Sequence, residues 1–271
     1  MTNSDGEDMR GLKVERRGAI LLLTINRPER RNALDAATSR AIDHWIGVAE
    51  EDSAIGATIL TGAGDRAFCA GMDMKEAAGI GAGHGLIPGR GFAGITERSR
   101  KKPLIAAVNG FAVAGGLEIS LACDIVFAAE HAMFGLSEVK RGLFAFAGGI
   151  QRLARQVPRS VGMSMILTGE PVTAQRMYEL GVVSEVMPLD ALLPRTIAMT
   201  EAMLENSWDA IRNAKLLYDL VADMPIDQAL RAGNAFGMAT LQSGSSREGV
   251  QAFAERRAAD FTGTDAAGMR A

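Results

Sequence analysis

The sequence predicts an α/β protein in which a largely parallel sheet is followed by a helical C-terminal portion. Before about residue 190, short apolar runs that are typical of buried strands alternate with helix-like segments. These runs end in glycine-rich turns, which is the pattern of β-α crossover units around a parallel sheet. Beyond that point, four segments have the periodicity of amphipathic helices, namely 190–205, 207–221, 226–243 and 246–259.

The first elements are two strands and a helix. Apolar runs at 12–16 and 19–25 flank Gly18, which predicts a hairpin turn. Pro28 ends the second strand, because proline has no N–H to donate to a sheet. Asp35 is a favourable N-cap residue and apolar residues follow it at helical spacing, so a helix is predicted to begin there. Further buried strands are predicted at 57–60, 104–108 and 125–128.

These elements divide the chain into four parts. We expect a flexible N-terminus over 1–10, an α/β core over 11–195, a helical portion over 196–260 and a flexible tail over 261–271. The glycine-rich stretch 77–91 is long for a loop inside a compact domain, which indicates either a functional lid or a disordered segment.

Composition and charge favour a globular cytoplasmic protein and argue against several kinds of partner. The 271 residues are 48% hydrophobic, enough for one sizeable core, and the net charge of −3 gives no positive field that would attract nucleic acid. No apolar run approaches the roughly 20 residues that span a bilayer, and the N-terminus lacks a signal-peptide pattern. The two cysteines and three histidines are scattered, so neither a disulfide framework nor a metal site is predicted.

The segment 109–118 has the form of an anion-binding turn. Asn109-Gly110 ends a predicted strand, and a helix is predicted to begin near Gly115. The first turn of a helix carries unpaired N–H groups and partial positive charge, and Gly115 and Gly116 let a ligand oxygen approach the backbone. This is a candidate oxyanion site. The alternative is a tight strand-to-helix turn that binds nothing.

The segment 67–75 contains a second turn of the same form. Its residues Ala70, Gly71, Met72 and Asp73 lie between a predicted strand and a short helix-like stretch. Asp73 either caps that stretch or orients a loop in which the Met72 N–H points at a substrate oxygen.

Two carboxylates near these turns suggest proton transfer. Glu118 falls in the first turn of its helix and Glu138 lies next to Lys140 and Arg141, so favourable pairing with the helix dipole and a solvated ion pair are the simpler explanations. If both carboxylates lie near an oxyanion site, they can share a water, one taking its proton and the other giving a proton to carbon. Like charges placed together also raise one pKa, which keeps a proton available.

Six motifs in order resemble the crotonase (enoyl-CoA hydratase/isomerase) superfamily, and the resemblance covers about residues 12–258. The matching segments are 25–34, 61–73, 103–124, 138–153, 167–170 and 181–183. The resemblance implies a spiral of repeated β-β-α turns with a helical C-terminal portion for oligomerisation. It also implies a homotrimer or a dimer of trimers.

The resemblance further implies hydration of a 2-enoyl-CoA to a 3-hydroxyacyl-CoA, or the reverse dehydration. The oxyanion N–H groups fall on Met72 and Gly115. Glu118 would hold or activate the water, and Glu138 would donate the proton. No metal and no separate cofactor are implied, because coenzyme A is part of the acyl-CoA substrate. The residues implied in substrate and coenzyme A binding are Arg30, Arg31, Ala33, Ala70, Gly71, Asp73, Met74, Lys75 and Gly116.

Several alternatives stay open. The same scaffold could support an isomerase, a carnitinyl-CoA-type dehydratase or a thioester hydrolase, and a catalytically silent acyl-CoA binder is a rival of another class. A nucleotide-binding dehydrogenase is disfavoured, because the glycines after 57–60 lack the required spacing. Ser137 and Phe146 depart from residues common in the family. Phe146 adds bulk near the acyl pocket, which leaves the acyl chain open. The run from Glu138 to Leu143 is similar to that of carnitinyl-CoA-type dehydratases, so a branched, charged or aromatic acyl group is compatible with the sequence.

Overall fold

The elements of the fold are described by a computed structural model, which covers residues 7–9, 11–81 and 83–261. The strands are β1 (Glu7–Met9), β2 (Leu12–Arg17), β3 (Ile20–Ile25), β4 (Ala57–Gly62), β5 (Ala67–Cys69), β6 (Leu86–Ile87), β7 (Gly91–Phe92), β8 (Leu104–Val108), β9 (Phe111–Val113), β10 (Ile125–Ala129), β11 (Met133–Gly135), β12 (Val172–Thr173) and β13 (Glu185–Met187). The helices are α1 (Ala36–Glu51), α2 (Met74–Ile80), α3 (Gly115–Leu121), α4 (Gly149–Gln156), α5 (Arg159–Thr168), α6 (Ala174–Glu179), α7 (Leu189–Leu204), α8 (Trp208–Val221), α9 (Ile226–Leu241) and α10 (Gly244–Glu255). Short 3₁₀ helices cover Pro28–Arg30 and Glu138–Arg141.

Most strands belong to two sheets. The larger sheet has the strand order β1-β2-β3-β4-β8-β10-β13, and it is parallel from β3 onward. The smaller sheet has the order β12-β11-β9-β5, and only β12 runs antiparallel in it. Strands β6 and β7 form a separate antiparallel hairpin. The structure thus confirms the predicted α/β class with a largely parallel sheet.

The chain visits the two sheets in turn. Strand β4 of the larger sheet is followed by β5 of the smaller sheet and then by α2. The same sequence of elements recurs in β8, β9 and α3, and β10 is again followed by β11. Repeated β-β-α turns of this kind are what the sequence resemblance implies. They place the ends of β5, β9 and β11 side by side.

Local sequence patterns correctly predicted the positions of several helices and turns. The β2–β3 hairpin turns at Gly18, whose φ of +57° favours glycine. Asp35 caps α1, because its side chain accepts the Thr38 N–H at 2.7 Å. The four predicted C-terminal helices appear as α7 to α10, with ends within a few residues of the expected ones.

The predicted flexible N-terminus includes a short strand, and its flexibility stays a prediction. Glu7–Met9 form β1 and pair with β2, so this part of the segment adopts regular structure. The pairing is a contact along a sheet edge, and the polar composition of the segment gave no sign of it. Residues 1–6 and 10, and residues 262–271 of the predicted flexible tail, lie outside the described residues.

Contacts between Cα atoms divide the chain into two units. One contains residues up to Ser99 and from Leu104 to Ala198, and the other contains Arg100–Pro103 and the chain from Met199. The first unit has a core of fully buried side chains that includes Phe68, Phe134 and Ile42. In the second unit, α9 packs against both α8 and α10. The predicted role of the helical portion in oligomerisation stays a prediction.

The stretch 77–91 is not one long loop. It begins inside α2 and ends in the β6–β7 hairpin, with Ala82 outside the described residues. The Gly83 N–H donates to the Met72 sulfur at 3.2 Å, which ties the stretch to the turn after β5. Across the described ranges, no helix is long and apolar enough to cross a membrane.

Candidate active site

One cavity of about 330 Å³ brings together the four residues that the sequence predicts to be catalytic. Met72 follows β5, Gly115 and Glu118 follow β9, and Glu138 follows β11. These three strands are parallel neighbours, so their carboxyl ends lie at the same edge of the smaller sheet. Met72, Gly115, Glu118 and Glu138 all line the cavity.

The backbone around Met72 directs its N–H away from the chain segment beside it. The Leu34 N–H donates to the Gly71 carbonyl at 2.8 Å, and the Asp73 N–H donates to the Leu34 carbonyl at 2.9 Å. Met72 thus forms a parallel bridge with Leu34 through its two flanking peptides. Because the C=O and N–H of one trans peptide point to opposite sides and the Gly71 carbonyl points at Leu34, the Met72 N–H faces away from Leu34.

The Gly115 N–H lies beside this peptide, at the first residue of α3. The preceding residue, Ala114, contributes no side-chain capping hydrogen bond. A first-turn N–H has no acceptor within its own helix, so this donor is available to a ligand. A Cβ built on Gly71 would lie only 3.0 Å from the Gly115 nitrogen. The two predicted oxyanion donors therefore come from peptides in close contact.

Glu118 is a buried carboxylate held by the start of α4. Its Oε1 accepts the Gly149 N–H at 3.1 Å, and only 5% of the residue is exposed. Burial raises the pKa of Glu118, while the N–H groups of Gly149 and Ala147 and the charge of Arg152 oppose that rise. These partners fix the carboxylate in the cavity wall.

Glu138 has a buried oxygen that is left for a ligand. Within the described part of the chain, its Oε2 has no hydrogen-bond partner. Burial raises the pKa of Glu138 to about 7, and the negative charge of Glu118 acts in the same direction. The N–H of Glu138 itself and the charge of Arg141 oppose this rise. Near neutral pH this carboxyl can therefore hold a proton, unlike an exposed glutamate.

An arginine ties the Met72 turn to the early loop. The Arg27 guanidinium lies 3.0 Å from carboxylate oxygens of both Asp35 and Asp73, and it also donates to the Ala33 carbonyl. Asp73 caps α2, since it accepts the Lys75 N–H at 3.0 Å. Burial raises the pKa of Asp73, but the hydrogen bonds from Lys75 and Arg27 outweigh this effect and leave the pKa below its ordinary value. Asp73 thus caps a helix and orients a loop at once.

The predicted binding residues divide into two groups. Arg31, Ala70 and Met74 line the main cavity. Arg31 also lines a second, more polar cavity of about 270 Å³, next to Arg66. Within the described ranges the remaining predicted residues line neither cavity, namely Arg30, Ala33, Gly71, Asp73, Lys75 and Gly116. Of these, Gly71 and Asp73 contribute to the geometry of the Met72 turn.

Much of the cavity wall was not predicted from the sequence. Its apolar surface is formed by Leu86, Phe92, Val113, Leu143, Phe144 and Ala147, together with the expected Phe146. Leu86 and Phe92 come from the β6–β7 hairpin, and apolar residues inside a glycine-rich stretch were the available signal for them. Over residues 7–9, 11–81 and 83–261, no group of three or more histidine, cysteine, aspartate or glutamate side chains is placed to hold a metal ion.

The fold and this cavity define a class of protein: an α/β protein with Met72, Gly115 and two glutamates, Glu118 and Glu138, in the lining of one cavity. A model of the enoyl-CoA hydratase/isomerase family matches residues 15–264. The chain is 36% identical to 2,3-dehydroadipyl-CoA hydratase of Escherichia coli, with 94% of this chain and 100% of the relative covered. It is 38% identical to enoyl-CoA hydratase EchA19 of Mycobacterium tuberculosis, with 92% and 95% covered.

Solved structures agree with these sequence matches. The crystal structure of an enoyl-CoA hydratase from Mycobacterium tuberculosis H37Rv matches with a TM-score of 0.88 and 39% identity, over 94% of this chain and 99% of that one. The chain belongs to the enoyl-CoA hydratase/isomerase family, and its crotonase-like fold is confirmed.

Proposed function

We propose that the protein is a hydro-lyase that hydrates a 2-enoyl-CoA to a 3-hydroxyacyl-CoA, or catalyses the reverse dehydration. The observation that carries the proposal is the pair of cavity carboxyls. Glu138 has a raised pKa and a buried oxygen that has no partner among the described residues, and Glu118 lines the same cavity in a fixed position. Addition of water across a double bond needs such an acid and such a base.

Each step of the reaction uses groups of this chain. The thioester oxygen binds between the N–H groups of Met72 and Gly115. Ionised Glu118 accepts a proton from water, whose oxygen bonds to C3, and the electrons of the double bond move onto the thioester as an enolate. Protonated Glu138 then gives its proton to C2. A single oxyanion donor is worth about 3–4 kcal/mol in a transition state.

The coenzyme A portion extends from this cavity toward the early loop. Arg31 lines both cavities and suits a phosphate contact, because a guanidinium binds phosphate through paired N–H groups. Arg30 is exposed at the end of its 3₁₀ helix and can reach the same groups from outside the cavities. Coenzyme A is part of the substrate, and the proposed steps use no other cofactor.

Other reactions of the family fit the cavity less well. Thioester hydrolysis or double-bond isomerisation uses an oxyanion site without requiring two carboxyls that share one water. A carnitinyl-CoA-type dehydratase is a narrower case of the same chemistry. A silent acyl-CoA binder has no use for a carboxyl with an unpartnered buried oxygen, because leaving it unbonded costs about 1–3 kcal/mol.

Labelled water tests the proposed reaction. We expect the protein to convert crotonyl-CoA to 3-hydroxybutyryl-CoA with one ¹⁸O from H₂¹⁸O, seen by mass spectrometry as a labelled intact thioester. A labelled free carboxylic acid would indicate a hydrolase, and an unlabelled isomer would indicate an isomerase. Binding of crotonyl-CoA without any product would support the silent binder and contradict the proposal.

The pH dependence of hydration follows from the two carboxyls. Because the pKa of Glu138 is raised to about 7, its acid form persists to neutral pH, and kcat/KM should fall as pH rises through about 7. Glu118 must be ionised to accept a proton, so kcat/KM should also fall as the pH drops through the pKa of Glu118. Because that pKa is raised, this fall should occur at a higher pH than for an ordinary glutamate. The check is a pH profile of kcat/KM with crotonyl-CoA. A rate that increases steadily from pH 6 to 9 would contradict this assignment.

The proposal includes a cytoplasmic homotrimer or dimer of trimers. Large apolar side chains on the C-terminal helices are highly exposed, with Phe253 at 87%, Tyr218 at 78% and Ile226 at 73%. Exposed apolar surface of this kind supports contacts with further copies of the chain. The free thiols of Cys69 and Cys123 suit a reducing compartment.

A further inference from the structure

The main cavity contains a guanidinium that the proposed reaction does not use. Arg141 ends the 3₁₀ helix that begins at Glu138, and its side chain lines the cavity. Among the described residues, the Arg141 side chain has no hydrogen-bond or ion-pair partner, although its charge acts on nearby Glu138. Its neighbour Lys140, by contrast, lies outside the cavity wall and pairs with Glu170 at 2.6 Å. Both cations are exposed to solvent, but they differ in partner: Lys140 pairs with Glu170, whereas the described residues offer the Arg141 side chain no ion pair and it lines the cavity.

The surroundings of Arg141 are mostly apolar. Leu143, Phe144 and Phe146 line the same cavity, and the rings of Phe144 and Phe146 meet edge to face with centroids 5.9 Å apart. A hydrocarbon acyl chain in this space would displace water from Arg141 without offering it an acceptor. Removing water from a charged group without a replacement partner is unfavourable.

The anionic groups of the cavity do not supply that partner. Glu118 is engaged by the Gly149 N–H at the start of α4. Glu138 carries the proton for C2 in the proposed reaction, and its charge is then absent. Ser137 also lines the cavity, and its side chain forms no capping hydrogen bond, so a hydroxyl donor is available close to Arg141 in the chain.

We propose that Arg141 is a specificity-determining residue that binds a second carboxylate on the acyl group, so that the preferred substrate is the mono-thioester of an unsaturated dicarboxylic acid. This inference rests on the proposed hydration. A guanidinium presents two parallel N–H groups that match the two oxygens of a carboxylate. The carboxylate would sit among the apolar side chains with Arg141 as its counter-charge, which discriminates against an uncharged chain of equal length.

The test compares substrates matched in length. We would measure kcat/KM for glutaconyl-CoA against 2-pentenoyl-CoA, and for 2,3-dehydroadipyl-CoA against 2-hexenoyl-CoA. The native protein should prefer the carboxylated member of at least one pair by about tenfold or more, the range of a hydrogen bond to a charged group. Arg141→Leu should remove that preference, and Arg141→Lys should retain part of it. Lys140→Leu removes the same charge one residue away and should leave the preference intact.

Binding of saturated analogues separates this inference from the proposed function. Dissociation constants of glutaryl-CoA and adipyl-CoA, against pentanoyl-CoA and hexanoyl-CoA, can be measured by calorimetry whether or not the protein turns over any thioester. A preference for the carboxylated analogues that Arg141→Leu abolishes would support the inference even if hydration fails. Equal affinities within each pair, or a preference that survives Arg141→Leu, would overturn it.

Discussion

Replacing Glu138 with Gln should lower kcat for crotonyl-CoA hydration by at least about a hundredfold, the lower end for a general acid–base group. Glutamine has nearly the same size and shape, but it cannot deliver a proton to C2. The thioester oxygen would still bind between the Met72 and Gly115 N–H groups, so KM should change little. Steady-state kinetics followed by loss of the enoyl-thioester absorbance measure both quantities. The alkaline fall in the pH profile should also disappear.

Glu170→Gln is the matched control for this variant. It makes the same chemical change at a carboxylate whose side chain is 70% exposed and pairs with Lys140 outside the cavity. Its kinetics should equal those of the native protein. If Glu138→Gln retained kcat within a factor of a few, another group would have to be the acid, and the assignment of Glu138 would be wrong.

Gly116→Ala should destabilise the protein by about 3 kcal/mol, the upper part of the range for overpacking. A Cβ built on Gly116 would lie 2.0 Å from the Cys69 carbonyl oxygen. That neighbour is backbone of β5, so relief requires α3 to move away from β5. Such a movement would displace Gly115 and Glu118, and kcat should fall as well. Urea unfolding measures the first effect and crotonyl-CoA turnover the second.

Gly79→Ala provides the comparison. Gly79 lies in α2, and a Cβ built on it meets no heavy atom within 4 Å. Alanine in a helix interior is favoured over glycine by roughly 0.5–1 kcal/mol, and less of this applies at Gly79, the last residue but one of α2, so this variant should be unchanged or slightly more stable. If Gly116→Ala had the stability of Gly79→Ala, the contact between α3 and β5 could not be as tight as described.

The sequence predicted those parts of the site that have local signals. Met72, Gly115 and Glu118 belong to strand–turn–helix segments, in which glycines and the start of a helix mark the available N–H groups. Because parallel strands deliver their carboxyl ends to one edge, these separate segments could be expected to converge. The motif resemblance supplied the order of the segments and the proton-donating role predicted for Glu138.

Long-range contacts could not be predicted in this way. Arg27 and Asp73 are 46 positions apart, and the Gly149 N–H that holds Glu118 is 31 positions from it. Hydrophobic periodicity reports which face of an element is buried, but it carries no information about which distant element covers that face. The β6–β7 hairpin was missed for a local reason, since each of its strands has only two residues and lies in a glycine-rich stretch.

The account is tested by the turnover of crotonyl-CoA by the native protein and by the double variant Glu118→Gln, Glu138→Gln, with binding of the thioester measured for both. We predict that the native protein rapidly removes the enoyl-thioester absorbance and that the double variant binds crotonyl-CoA without turnover. The double variant should lose little more than the worse single variant, because the two carboxyls act as a unit. A native protein that binds crotonyl-CoA and the longer enoyl-CoAs but leaves their absorbance unchanged would contradict the account, as would a double variant that retains the native rate.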